Sequence, residues 1–124
     1  MHEYSTAKGI LETVLAVAVE NKAKRITEVN LEIGMLTMLN PEQLEFSFHI
    51  LSENTIAEDA KLNTTKLPMN LNCRGCGYRG EISSDKIGES PDVIELLKCP
   101  RCGSTDTEVD EGRSCNIKNI RVDT

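Results

Sequence analysis

Aromatic side chains are almost missing from this chain. Two tyrosines, two phenylalanines and no tryptophan make up 3% of its 124 residues, so a core has to be assembled from Ile, Leu, Val and Ala. Long apolar runs are missing too. The most apolar stretch, 10–19, is interrupted by Glu12 and flanked by Lys8 and Glu20, far short of the ~20 residues of a membrane span. It also lacks the basic start and small-residue cleavage site of a signal peptide. The expected setting is therefore cytoplasmic, with no membrane partner. Positive charge is in deficit, with 14 Lys and Arg against 20 Asp and Glu and a net charge of −6. Lys22, Lys24 and Arg25 form the one basic cluster, which reads as a solvated helix end favoured by the helix dipole. Proteins that grip nucleic acid through its phosphates carry a basic patch, so nucleic acid is not an expected partner. No nucleophile–base constellation and no phosphate-cradling loop is visible, which argues against an enzyme.

Against these absences stand five cysteines, at 73, 76, 99, 102 and 115. Four of them form two tight pairs, CRGCGY and CPRCG. Two thiolates spaced Cys-x-x-Cys on a turn can meet one metal ion, and two such turns complete the tetrahedron that suits Zn²⁺. Gly77 and Gly103 directly follow the second cysteine of each pair, where a metal knuckle needs a positive φ that glycine tolerates. Pro100 stiffens the second knuckle. Cytosolic disulfides are rare, and no βαβ pattern surrounds either pair to suggest a thioredoxin-like motif. Rubredoxin-like electron carriers bind iron through similar knuckles, but usually among aromatic residues; here Tyr78 alone lies near the pairs. A closed site of four thiolates, Cys73, Cys76, Cys99 and Cys102, leaves no position for water or substrate, so its zinc is expected to hold the fold. Cys115 stands in RSCNIKNIRV, which reads as a strand. Cys115 and Ile117 share one face while Ile120 and Val122 fall on the other parity, implying a bulge near Lys118 and Asn119. The thiol reads as a small buried hydrophobe, with a fifth ligand or a sensor as the alternative.

The rest of the chain carries helix and strand signals. STAKGILETVLAVAVENKAK reads as a helix with Ser5 or Thr6 as N-cap and Ile10, Val14, Val17 and Ala18 at helical spacing, widened by Leu11 and Leu15. ITEVNLEIGML reads as a strand that Gly34 closes, alternating most cleanly from Val29 onward. In NPEQLEFSFHILSE, Asn40 suits an N-cap, Pro41 the first helical position and Glu42 the positive end of the dipole. Leu44, Phe48 and Leu51 form its buried stripe, with Phe46 and Ile50 partly off it. TIAEDAKLNTTKLPMNLNC reads as a strand running into the first knuckle. These elements predict an α+β fold in which a small sheet packs with two helices and is interrupted by an inserted four-cysteine zinc-ribbon-like module. Residues 1–68 plus 110–124 are expected to form one discontinuous domain, and 69–109 the zinc-binding module.

The terminal MHE, the block LNPEQLEFSFHILSENTIAEDAKL and the ordered knuckles CRGCGY and CPRCGS together resemble the HypA/HybF family, from Met1 to about Val122. The family's members are nickel metallochaperones for the maturation of nickel–iron hydrogenases. The resemblance implies that Ni²⁺ binds at the amino terminus through His2, with backbone nitrogens of Met1, His2 and Glu3 contributing. It implies structural zinc on Cys73, Cys76, Cys99 and Cys102. It also implies the HypB GTPase and the hydrogenase large subunit as partners, urease maturation as a further client for some members, and a monomer or weak dimer. One departure is Lys98, which precedes the second knuckle where some relatives carry a histidine linked to the nickel site. His49, in the second helix, reads as an ordinary surface or partly buried side chain, with a nickel ligand as the alternative.

The chemistry of MHE is sound on its own terms. The α-amine, the amide nitrogen of His2 and its imidazole can close fused chelate rings around one ion. Nitrogen donors in a plane suit Ni²⁺ or Cu²⁺ and not tetrahedral Zn²⁺. The amide must surrender its proton, so binding releases protons and strengthens as pH rises. Without the resemblance, a solvated terminal histidine and a zinc-ribbon scaffold or interaction module without metal cargo stay open beside this reading. Glu3 can offer its backbone nitrogen to the metal or its carboxylate to a partner.

Overall fold

A computed structural model describes residues 3–82, 97–112 and 114–124 of the chain. In chain order these form α1 (Glu3–Glu20), β1 (Arg25–Gly34), a short 3-10 turn (Met35–Thr37), α2 (Pro41–Ser52), β2 (Lys61–Leu67), β3 (Met69–Cys73), β4 (Arg79–Ile82), β5 (Thr107–Glu111) and β6 (Cys115–Asp123). The fold class is α+β. The strands form two three-stranded sheets, one ordered β2-β1-β6 and the other β4-β3-β5. The chain divides into two compact units: residues 1–32, 38–65 and 115–124 form the first, and Ile33–Thr37 with Lys66–Ser114 form the second. The junctions expected from sequence stand at 68/69 and 109/110, whereas the second unit also takes in residues 66–68, 110–114 and 33–37.

In the first unit α1 starts at Glu3, two residues before the expected cap. An acidic side chain at that position complements the dipole, and Ser5 and Thr6 fall inside the first turn. The helix buries Ala7, Ile10, Leu11, Val14 and Ala18, whereas Val17 is exposed. It stops at Glu20, short of the expected Lys24, because Lys22 adopts a left-handed φ of 55°. The Lys22 N–H then donates to the Val19 carbonyl and the Ala23 N–H to the Ala18 carbonyl, the pair of bonds that closes a Schellman end. α2 is capped as its sequence indicates: the Asn40 carboxamide oxygen accepts from the N–H groups of Glu42 and Gln43, with Pro41 at the start. Its buried stripe is Leu44, Phe48 and Ser52. Leu51 is half-buried, and Phe46 and Ile50 are exposed at 67% and 49%. The Ser52 hydroxyl tolerates burial by donating to the His49 carbonyl at 3.1 Å.

β1 lies between β2 and β6. Lys24 N–H donates to the Asp123 carbonyl and Thr27 Oγ1 donates to the Arg121 carbonyl, so β6 descends as β1 rises. On β6 the half-buried residues are Cys115, Ile117, Ile120 and Val122, with Lys118 and Asn119 both exposed, which is the parity change legible in the sequence. Three asparagines tie the strands together: Asn63 Nδ2 donates to Asn30 Oδ1 at 2.9 Å, and Asn30 Nδ2 to Asn119 Oδ1 at 2.6 Å.

The long strand expected over residues 55–73 is not one strand. Thr55 to Asp59 form turns, held by Thr55 N–H to the Ser52 carbonyl, Ala60 N–H to the Ala57 carbonyl and the Thr55 hydroxyl oxygen accepting from Ala57 N–H. Pro68, which cannot donate to a ladder, then separates β2 from β3. In the second unit β3 is central and antiparallel to both neighbours, with Leu71 opposite Gly80 of β4 and Val109 of β5. Met35, Met69, Leu71 and Val109 make its small core, with Leu36 and Leu97 against it. Gly34 passes so close to Gly112 that a Cβ on it would collide with the Gly112 carbonyl carbon. That approach lets Gly34 N–H reach the Ser114 carbonyl and Leu36 N–H the Gly112 carbonyl.

Candidate metal centre

The two knuckles repeat one backbone design. Cys73 N–H donates to the Tyr78 carbonyl and Gly77 N–H to the Cys73 carbonyl; Cys99 N–H donates to the Ser104 carbonyl and Gly103 N–H to the Cys99 carbonyl. Gly77 and Gly103 have φ of 77° and 75°, the left-handed conformation expected of a residue that turns the chain away after the second cysteine. β3 delivers the first knuckle. The second is fastened on one side by the Thr107 hydroxyl, which donates to the Leu97 carbonyl at 2.5 Å. Arg74 reaches across to the other segment, with Asp106 at 3.4 Å and Glu108 at 3.6 Å.

These turns bring the Sγ atoms of Cys73, Cys76, Cys99 and Cys102 within 4.8 Å of one another. Cys73–Cys102 and Cys76–Cys99 are each 3.6 Å apart, well beyond the ~2.05 Å of a disulfide. Four sulfurs about 2.3 Å from a tetrahedral zinc lie roughly 3.8 Å apart, so the quartet has the donor chemistry and the spread for such an ion. Cys73 and Cys99 are buried while Cys76 and Cys102 are exposed. Protons are shared unevenly among the sulfurs. Burial pushes the Cys99 thiol up, but the N–H groups of Cys102 and Arg101 and the thiols of Cys76 and Cys102 outweigh it, and it is lowered to about 6. At Cys102 the backbone at Ser104 favours the thiolate, yet Cys73, burial, Cys76 and Cys99 together raise it to about 12. Within the quartet Cys99 is thus the thiol most readily ionised and Cys102 is held toward its neutral form.

Among the described residues the cluster comprises these four cysteines and does not include Cys115. Cys115 is half-buried on β6, and burial raises its thiol. Lys98 is half-buried directly before the second knuckle. His49 is exposed on α2, 3.6 Å from Glu45 Oε1. Met1 and His2 lie outside the described residues. Glu3, the first residue of α1, is half-buried. Its Oε1 accepts the backbone N–H of Asn40 at 3.1 Å, a contact the sequence did not signal because 37 positions separate the two residues.

A model of the family described as hydrogenase/urease nickel incorporation, metallochaperone, HypA matches residues 1–122. The chain belongs to the HypA family. Hydrogenase maturation factor HypA of Methanothermobacter thermautotrophicus is 45% identical over 123 residues, spanning 99% of this chain and 98% of the relative. That of Methanocaldococcus jannaschii is 37% identical over 130 residues, at 99% and 98%. Among solved structures, that of the Ni metallochaperone HypA from Helicobacter pylori shares the fold, with a TM-score of 0.67 at 20% identity over 99% of this chain and 98% of that one. Family membership makes hydrogenase maturation the setting of this chain and nickel incorporation its family role. The four-cysteine cluster fits a metal site such as zinc, and among the described residues no helix is long and apolar enough to cross a membrane.

Proposed function

We propose that this chain is a nickel carrier, loaded at its amino terminus, that delivers Ni²⁺ to the large subunit of a nickel–iron hydrogenase in the cytoplasm. The observation that carries the reading is the family match, which begins at Met1 and therefore includes the terminal Met-His-Glu. The α-amine of Met1, the amide nitrogens of His2 and Glu3 and the His2 imidazole supply the planar nitrogen set that Ni²⁺ accepts. Support comes also from Glu3 opening α1. The positive end of a helix favours negative charge, and an amide nitrogen that has given up its proton to a metal carries such a charge.

Zinc on Cys73, Cys76, Cys99 and Cys102 serves as the structural metal, separate from the cargo. Its closed thiolate shell has no position to offer a passing ion. HypB, a GTPase, and the hydrogenase large subunit are the expected partners, with urease maturation proteins as further clients. The deciding experiment is a nickel titration of zinc-loaded protein. Wild type should bind one tight equivalent, whereas His2→Ala and N-terminally acetylated protein should lose it while keeping their zinc. Equal nickel binding by all three would leave a zinc-ribbon scaffold without cargo.

A further inference from the structure

The N-cap of α2 is completed by a residue from another helix. In a capping box, the side chain at the third helical position reaches back to the N–H of the N-cap residue. Here that position is Gln43, yet the Asn40 N–H goes to Glu3 Oε1 at 3.1 Å. The other groups of Asn40 serve α2 itself. Its carboxamide oxygen takes the N–H groups of Glu42 at 2.9 Å and Gln43 at 3.2 Å, and its carbonyl takes that of Leu44 at 2.9 Å. The start of α1 and the entry to α2 are thus joined at this point, and Ala7, Leu39 and Leu44, close by in sequence, are buried.

The backbone of Glu3 belongs to α1 and the tip of its side chain is held by the Asn40 N–H. It is also the residue to which His2 is covalently joined. We propose that Glu3 is a positioning residue: its carboxylate, by holding the Asn40 N–H, fixes the point from which the nickel-binding terminus extends. This rests on the terminal nickel site proposed above. A chelate through consecutive backbone nitrogens demands one arrangement of the chain. Anchoring one end of that chain beforehand removes part of the ordering cost that binding would otherwise carry. The side chain of Glu3 therefore acts through its neighbour and not as a ligand.

The test is the nickel titration extended to three full-length, zinc-loaded variants. Glu3→Ala should weaken nickel binding about tenfold, the low end of the loss seen when a group that orients metal ligands is removed. Glu3→Gln should recover most of that loss, because its amide oxygen can accept the same N–H without the charge. Asn40→Gly removes the side-chain cap but keeps the backbone N–H, so its loss should stay well below that of Glu3→Ala. Hydrogen exchange at the Asn40 amide should quicken in Glu3→Ala and slow again in Glu3→Gln. Should Glu3→Ala fail to fold, Glu3→Asp, whose carboxylate is one methylene short, should show the weaker nickel binding and the faster exchange. Wild-type affinity in Glu3→Ala, no recovery in Glu3→Gln, or an equal loss in Asn40→Gly would overturn the positioning role. If wild type and His2→Ala bind nickel alike, the terminal site itself falls, an outcome distinct from the other three.

Discussion

The two units of this molecule keep their shape by different means. The first buries stripes from both helices, Ala7, Ile10, Leu11, Val14 and Ala18 on one and Leu44 and Phe48 on the other, together with Ile26, Val29, Leu31 and Leu62 of the sheet. The second has Met35, Met69, Leu71 and Val109 with two partly buried leucines, and four sulfurs gathered by two turns. Burying a large aliphatic side chain is worth about 1.5–3 kcal/mol, so among the described residues the apolar core of the second unit contributes less than that of the first. Zinc on the four sulfurs, as proposed above, would add to that core; a structural zinc is worth about 10–16 kcal/mol in small zinc-binding peptides at neutral pH.

The sharpest break in this comparison comes from removing the metal. Chelation, or Cys99→Ser, should abolish the slow amide exchange of β3, β4 and β5 while α1 and α2 keep theirs, as residue-resolved hydrogen exchange would report. Uniform loss across both units would show that they share one source of stability. Acid should act in the same direction. Zinc must displace the Cys102 proton at any pH below about 12, but a Cys99 proton only below about 6. Zinc affinity should therefore decline as pH falls and decline more steeply below about pH 6, which a competition assay with a chromophoric chelator measures.

A core cavity should do the reverse. Phe48 is fully buried, and Phe48→Ala should cost the first unit about 3–5 kcal/mol while zinc content stays stoichiometric, checked by denaturant melts beside metal analysis. Gly34→Ala is the mildest of the set. Its Cβ would press on the Gly112 backbone, and overpacking of this kind costs about 1–3 kcal/mol. The loss should fall on the second unit, seen as faster exchange at Leu36, whose N–H is bonded to Gly112.

What could be read from the sequence was local chemistry. Ligand spacing and the knuckle glycines express geometry within a few residues, and Gly77 and Gly103 take the positive φ that their places demand. Asn40 and Pro41 announced α2 for the same reason. The readings that failed depended on contacts made elsewhere. A left-handed Lys22 ends α1 where a glycine would have been the usual signal. β4 and β5 have no alternating pattern: RGEI has one apolar residue, and TEVDE has only Val109. They are strands because β3 offers them a ladder. Glu3 meets Asn40, and Gly34 meets Gly112, across separations that no window along the chain reveals.

The close fit of Gly112 against the Met69 backbone has a kinetic consequence. It brings together the two ends of the long excursion that separates β2 from β6, the strands that flank β1. Closing an unstructured loop carries an entropy cost that grows with its length, and contacts between distant segments slow folding for the same reason. With zinc on its four sulfurs, as proposed above, the excursion would act as a shorter connector. Zinc loading during synthesis should therefore hasten the arrival of β6 beside β1, so that a metal bound in one unit would set the rate at which the sheet of the other is completed.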